Sequence, residues 1–360
     1  MVKLLIVTNN VMSYRVKIWE LIGKEFDVTV AFTEAKFKDK EYPFKTIYTP
    51  GKWRGPFFIH DKPLYPLAKQ YDAVISFYEI RCLSAMKLAF YPRRKYSLTF
   101  WGIGVSASYD NKYDTQSKWD KVRFYVGNKA ESLVFYSDYP VEKHVKAGFD
   151  RKKLFVAPNT TEVSPNLNPD SKRDAFLFVG TLYRQKGFDI LLNAYNSITE
   201  VSKQDLPVLH IIGEGPERAY LEQWIKDNGM EDKVFLHGAI YDVEKLREFY
   251  EKSLACISPN QAGLSVLTSM GYATPFVSEK DAITGGEIFN IKNMENGILY
   301  EGGAEVLKEK LVWMINNKEE VIEMGRKAKK HYDKNRTPQQ MANGLMDAVR
   351  YALKIKNGKE

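Results

Sequence analysis

From Phe178 to Gly187 the chain reads Phe-Val-Gly-Thr-Leu-Tyr-Arg-Gln-Lys-Gly. An apolar strand pattern runs into Gly180, two cations follow at Arg184 and Lys186, and a helix is expected to open at Gly187. That arrangement suits anion capture: the amides and dipole of a helix N-terminus attract phosphate, and the two side chains add donors and full charge. An ordinary strand–helix turn with solvated cations has the same appearance. A second candidate, Ile211-Ile212-Gly213-Glu214-Gly215-Pro216-Glu217, ends a strand in a Gly-x-Gly turn that lets a planar group approach the backbone, with Pro216 suited to a helix start. The third runs from Ser258 to Pro275. A strand ends at Pro259, Gly263 permits close backbone approach, and a helix from Leu264 to about Tyr272 aims the amides of Gly263, Leu264 and Ser265 at a diphosphate. A fourth stretch, Thr284-Gly285-Gly286-Glu287, offers pliable backbone and one carboxylate suited to sugar hydroxyls.

The elements that must hold these loops alternate between strand and helix. Leu4–Thr8, Val28–Phe32, Ala73–Phe77, Leu133–Tyr136 and Leu154–Val156 read as buried strands, with an amphipathic helix from about Tyr14 to Lys24. After a polar, proline-rich stretch at Pro158, Pro165, Asn166, Asn168 and Pro169, taken as a linker, a second series begins. Its strands are Ala175–Val179, Val208–Ile212, Val234–Leu236, Ala255–Ser258 and Pro275–Ser278, with helices at Gly187–Thr199 and Glu217–Asn228. Strands separated by helix-length segments pair in parallel. Each half is therefore an open, doubly wound α/β sheet, and ligands of such sheets sit at the carboxyl ends of the strands. Expected domains are 1–160 and 161–334, with a C-terminal helix of about 335–360 returning to the first. Lysine-rich helices fill about 304–356.

Composition narrows the function classes. A chain of 360 residues exceeds one ordinary core. Its 44% hydrophobic and 27% charged residues are those of a globular protein, and no apolar run approaches the ~20 residues of a membrane-spanning helix. Met1–Thr8 carries one lysine and leads into Asn9 and Asn10, unlike a signal peptide. Cys82 and Cys256 lie far apart without metal-ligand spacing, as expected of a reduced, cytoplasmic protein. Residues 1–160 hold 27 Lys and Arg against 16 Asp and Glu, a net +11, whereas 161–360 balance at −3. A basic first half is either a lysine-rich solvated surface or a face for something anionic, a membrane or a phosphorylated acceptor. Arg93-Arg94-Lys95 between Phe90-Tyr91 and Tyr96, and Trp53, Phe57 and Phe58 around Lys52 and Arg54, fit an interfacial surface; the alternative is aromatics that are simply core. No nucleic-acid recognition motif accompanies the charge.

The four candidate stretches, in their order and spacing, resemble family 4 of the retaining glycosyltransferases, which have the GT-B fold of two Rossmann-like domains facing across a cleft. The family pattern is a Gly-Arg-Leu-(three residues)-Lys-Gly loop, a Gly-(Asp/Glu)-Gly-Pro turn and a Glu-(seven residues)-Glu element ending in Gly-x-Pro. Gly180–Gly187, Gly213–Pro216, Gly263–Pro275 and Gly285–Glu287 occupy the matching places. The likeness is dense from about 154 to 300. More weakly, Asn10 to Leu21 (with Tyr14-Arg15) and Phe100-Trp101-Gly102 look like an acceptor-side pattern.

The resemblance implies transfer of a sugar from a nucleotide diphosphate sugar to a saccharide or lipid-linked saccharide, with retention and without a metal or other cofactor, in cell-envelope polysaccharide or glycolipid assembly. The protein would then be cytoplasmic or peripheral on the inner face of the membrane. Implied catalytic residues are Arg184, Lys186 and Glu287. Implied donor contacts are Gly180, Thr181, Gly213, Glu214, Ile240, Asn260, Gly263, Leu264, Ser265 and Thr268. Implied acceptor contacts are Asn10, Tyr14, Arg15, Trp101 and Gly102. Three departures stand out: Asn260 and Thr268 replace both family glutamates, and Thr181 replaces the arginine, which leaves Arg184 to supply a guanidinium. No Asp-x-Asp motif lies between the strands, and the phosphate-binding cations make a divalent metal unnecessary. A sugar-nucleotide epimerase or hydrolase on the same fold would want acidic and histidine groups, but His60, His144, His210, His237 and His331 suggest no pair. A catalytically silent nucleotide-sugar-binding protein is the third reading, since it would explain the lost glutamates.

Overall fold

The structure, a computed structural model, describes residues 1–106, 113–114, 118–168, 171–199 and 206–358, so Pro169 of the expected linker lies outside the described residues. The described residues of Met1–Ala107, Asp114–Thr160 and Thr337–Glu360 form one compact unit, and those of Ser108–Tyr113 and Thr161–Arg336 another.

In the first unit nine strands are present among the described residues: β1 (Lys3–Val7), β2 (Asp27–Phe32), β3 (Lys45–Tyr48), β4 (Gly51–Arg54), β5 (Phe57–His60), β6 (Ala73–Phe77), β7 (Ser97–Gly102), β8 (Ser132–Phe135) and β9 (Leu154–Val156). Seven of them make one parallel sheet in the order β3-β2-β1-β6-β7-β8-β9. From β2 across to β8 both faces are buried, which is why most of those strands are continuous apolar runs. Along β1, Leu4 and Ile6 meet Ile18, Trp19 and Leu345 on one face. Leu5 and Val7 meet Ala85, Leu98 and Phe100 on the other. β3, β4, β5 and β7 were not expected as strands. β3 and β4 are mostly exposed, so they lack the apolar signature, and β4 and β5 form an antiparallel hairpin rather than a crossover.

The last helix, Pro338–Lys356, belongs to this unit. Thr337 and Gln340 cap it reciprocally, saturating two orphan amides. Gly344 lets it touch the sheet: a Cβ there would stand 2.3 Å from the Val156 carbonyl oxygen. The Ser132 hydroxyl donates to the Ala348 carbonyl at 3.0 Å, a contact buried between sheet and helix.

The second unit carries β10 (Ala175–Val179), β11 (Val208–Ile212), β12 (Val234–Leu236), β13 (Ser253–Ile257), β14 (Gln261–Ala262), β15 (Phe276–Glu279), β16 (Ile283–Thr284) and β17 (Gly297–Tyr300). Its parallel sheet runs β12-β11-β10-β13-β15-β17. Phe176 and Phe178 face the helices Phe188–Thr199 and Gly303–Asn316. Leu177 faces the opposite cluster, with Val266, Met270 and Tyr332. The neighbours β10, β11 and β13 are the strands whose carboxyl ends lead into the first three candidate loops, so the sheet order alone brings those loops to one edge. No helix of the described residues is long and apolar enough to cross a membrane.

Candidate functional site

The loops after β10 and β11 are joined through their backbones. The Gly180 amide donates to the Ile212 carbonyl at 3.0 Å, and the Leu182 amide to the Glu214 carbonyl at 2.9 Å. Helix does not open at Gly187 as expected. Arg184–Lys186 forms a 3-10 turn, Gly187 adopts φ 75°, and the α-helix starts at Phe188. The left-handed glycine reverses the chain and leaves its Cα bare, and the Asn260 carboxamide packs there: a Cβ at Gly187 would lie 2.8 Å from Asn260 Cγ.

The third and fourth stretches are tied together as well. β14 pairs with β16 in parallel, Gln261 opposite Ile283 and Ala262 opposite Thr284. The Ile283 amide donates to the Asn260 carbonyl at 2.8 Å, and the Asn260 amide to the Lys186 carbonyl at 3.3 Å. The Tyr183 hydroxyl donates to Gln261 Oε1 at 2.6 Å. Lys186, Gly187, Asn260 and the Thr284–Glu287 loop therefore form one constellation assembled from three strand ends.

Three of its polar groups have no partner among the described residues. Lys186 is only 6% exposed, and its ammonium, which lies over the rings of Phe178 at 6.0 Å and Tyr183 at 5.4 Å, makes no ion pair or hydrogen bond among the described residues. Burial pulls its pKa down to about 8, with the Cys256 sulfur opposing weakly. The Ser265 hydroxyl is buried without a partner. The half-buried Asn260 carboxamide also makes no side-chain hydrogen bond among the described residues. Buried polar groups are normally satisfied, so the orphaned Ser265 hydroxyl, together with the unpaired Lys186 and the half-buried Asn260 carboxamide, marks a place prepared for a polar ligand. Exposed Arg184 likewise makes no ion pair among the described residues.

The remaining donor-side residues are partly engaged. Exposed Thr181 flanks Gly180, and Ile240 packs against the apolar cluster of Leu177 and Tyr250. The Glu214 carboxylate is bound to Arg218 at 2.7 Å. Thr268 shares a hydrogen bond with the Thr161 hydroxyl at 3.0 Å and donates to the Leu264 carbonyl at 3.2 Å, so its hydroxyl braces the helix Ser265–Gly271. Buried Glu287 accepts from the Gly285 amide at 3.0 Å, which fixes the fourth loop.

On the first unit, Asn10 and Tyr14 follow β1, and Trp101 and Gly102 end β7, so the acceptor-side residues share one edge of that sheet. Asn10 donates to Glu34 at 2.9 Å. Arg15 is interior. Its guanidinium donates to Asn159 Oδ1 at 2.8 Å, contacts Met341 Sδ at 2.9 Å, and stands 5.0 Å from the ring centroids of Tyr14 and Trp101. It joins the helix Ser13–Gly23 to the C-terminal helix. Arg15→Met is therefore expected to lower stability by about 2–4 kcal/mol, through a lost charged hydrogen bond and lost cation–π contacts. Urea unfolding checks this; a change below about 0.5 kcal/mol, the range of neutral surface substitutions, would make Arg15 a ligand contact instead.

Two sequence expectations need correction. His210 and His237 do form a pair, 3.0 Å apart, because β11 and β12 are neighbours in register, a relation invisible along the chain. Desolvation lowers both pKa values, that of His210 to about 4, so they form a neutral pair packed on Phe249. Arg94 is not part of a free basic patch. Its Nη2 reaches both carboxylate oxygens of Glu131 at 2.6 and 2.7 Å, and the guanidinium also donates to the Ala89 and Lys129 carbonyls.

Residues 159–331 match the family described as glycosyl transferases group 1. No curated protein matches the sequence. Among solved structures, HepE of Anabaena in complex with UDP is similar over 97% of this chain and 99% of its own, with TM-score 0.69 and 15% identity. TarM of S. aureus, as a mutant in complex with fondaparinux, alpha-GlcNAc-glycerol and UDP, is similar over 97% and 100%, with TM-score 0.69 and 13% identity. A glycosyltransferase of Rickettsia africae is similar over 98% and 99%, with TM-score 0.72 and 14% identity. The chain thus has the GT-B fold, and its residues 159–331 match the group 1 glycosyl transferase family.

Proposed function

We propose that this protein transfers a sugar from a nucleotide diphosphate sugar to a saccharide or lipid-linked saccharide acceptor, with retention at the anomeric carbon and without a metal ion. The observation that carries the reading is the buried, unpaired Lys186 beside Gly180 and Asn260. An ammonium held out of water with no counter-ion among the described residues is poised for a diphosphate. As the glycosidic bond breaks, negative charge grows on the leaving diphosphate. Lys186, Arg184 and the Gly263–Ser265 amides are preorganised donors for it, which is where such groups act most strongly. The leaving diphosphate takes the acceptor hydroxyl's proton on the front face, so no protein nucleophile is required. Asn260 in place of a carboxylate still offers both a donor and an acceptor to the sugar.

HepE and TarM are both found with UDP, which makes UDP the first nucleotide to test. Calorimetry with UDP, GDP, dTDP and ADP, followed by turnover with the corresponding sugars, tests the reading. Binding of none of them removes it, and nucleotide release that does not need an acceptor turns it into a hydrolase. Arg184→Ala should weaken the bound nucleotide by about 1.5–3 kcal/mol, the worth of one charge-assisted contact. Unchanged affinity would leave Arg184 as a solvated cation. Assembly of cell-envelope polysaccharide or glycolipid, on the cytoplasmic side of a membrane, is the setting in which we place this activity.

A further inference from the structure

The helix Trp119–Gly127 turns only one side toward its own unit. Arg123, Val126 and Gly127 are buried, and the Tyr78 hydroxyl donates to the Arg123 carbonyl. Trp119, Val122 and Tyr125, three residues apart, are 50%, 43% and 61% exposed. That spacing sets them along one stripe of the helix.

The stripe continues beyond the helix at both ends. At one end Phe57 of β5 meets the Trp119 ring edge-on at 6.2 Å. Lys52, Arg54, Phe57 and Ile59 share one face of the hairpin, because Lys52 stands opposite Ile59 and Arg54 opposite Phe57. Trp53 and Phe58 stand opposite each other on the other face, so the sequence cluster is divided by the pleat. At the other end exposed Phe90 meets Tyr125 at 5.8 Å. Three separate chain segments therefore build one exposed, largely aromatic surface.

Its rim is positive. Exposed Lys52, Arg54, Lys118 and Lys121 make no ion pair among the described residues, and Lys129 lies over the Tyr125 ring at 5.2 Å. The one acid on the helix, Asp120, is already taken by Arg123 and Lys143. An aromatic stripe edged by unneutralised cations complements a surface that is apolar below and anionic above. Tryptophan and tyrosine settle at headgroup depth, while lysine meets acidic headgroups. The net +11 of residues 1–160 has the same sign.

We propose that this face docks the protein on an anionic lipid bilayer, with Trp119, Val122 and Tyr125 entering the headgroup region and Lys118, Lys121 and Lys129 facing the acidic lipids. The inference goes beyond the proposed transfer reaction and does not depend on it, since none of these residues belongs to the nucleotide loops.

The test is co-sedimentation of the full chain with vesicles of phosphatidylcholine alone and of phosphatidylcholine mixed equally with phosphatidylglycerol, at low and high salt. Binding to the anionic vesicles alone, weakened by salt, is expected. Trp119→Ser, Val122→Ser and Tyr125→Ser together should lower partitioning at least about tenfold, given the apolar area withdrawn. Lys118→Glu, Lys121→Glu and Lys129→Glu together should lower it by about a hundredfold or more. Both variants should keep the wild-type melting temperature and UDP affinity, because the altered side chains are exposed and lie on the other unit. Equal binding to both vesicle types, or binding to neither, overturns the proposal. So does a concentration-dependent dimer that the serine variant converts to monomer while vesicle binding is unchanged, since the stripe would then be a contact between copies.

Discussion

Lys186→Met should yield a protein that melts at a higher temperature than the wild type yet no longer binds a nucleotide diphosphate. In the free protein the lysine is a charge removed from water with no counter-ion among the described residues, which is why burial pulls its pKa from 10.5 to about 8. That displacement corresponds to about 3 kcal/mol of unfavourable charge in the folded state near neutral pH. Methionine fills a similar volume and removes this burden, so stability should rise by an amount of that order. The pH dependence follows from the sign of the shift. Between about 8 and 10.5 the unfolded chain holds the proton more tightly than the folded one, so wild-type stability gains as pH rises through that window. The methionine variant lacks that gain. Nucleotide binding runs the other way, because a diphosphate favours the protonated amine: wild-type affinity should be full below pH 8 and fall above it. Thermal melts at about pH 7 and about pH 9.5, on either side of the folded-state pKa, with and without UDP, measure all three effects. A variant that is no more stable at neutral pH, or that still melts higher with UDP, contradicts the assignment of Lys186 as a cation held in readiness for phosphate.

Gly213→Ala is expected to damage both the fold and the site. A methyl carbon there would stand 1.9 Å from the Gly180 carbonyl oxygen, a backbone atom that no rotamer change can move aside. The glycine's φ of 154° adds to the strain. The loops after β10 and β11 would have to part, breaking the Gly180–Ile212 and Leu182–Glu214 hydrogen bonds. Gly180 lies against the Lys186 ammonium, since a Cβ on it would be 3.3 Å from Nζ, so the displacement reaches the cation assigned to the phosphate. A loss of about 4 kcal/mol in stability, at the upper end for a single substitution, should come with at least about tenfold weaker nucleotide binding. Gly229→Ala is the control: its φ is 60° but open space surrounds it, so it carries only the backbone penalty of about 1–2 kcal/mol. If the two variants unfold at the same denaturant concentration, contact between the loops is not what requires Gly213.

The sequence by itself determined the alternating architecture and the loops that matter. Buried parallel strands are continuous apolar runs, so β1, β2, β6, β10 and β11 are visible as such, and glycines mark the loops after β10 and β11, the first with the cations Arg184 and Lys186. Both are local signals. What the tertiary structure decided is which groups are satisfied, because a hydrogen bond or an ion pair is a relation between residues far apart in the chain. Arg94 and Arg15 look alike in sequence to Arg184, yet Glu131 and Asn159 hold the first two while Arg184 stays unpaired among the described residues. His210 and His237 become a pair only through the register of β11 with β12. The β4–β5 hairpin hides in a stretch too short and too exposed to carry a periodic signal, and its pleat separates Phe57 from Trp53 and Phe58. Lys186 appears as one lysine among many until the fold buries it beneath Gly180 with nothing among the described residues to neutralise it, and burial without a partner is a property that only packing can confer.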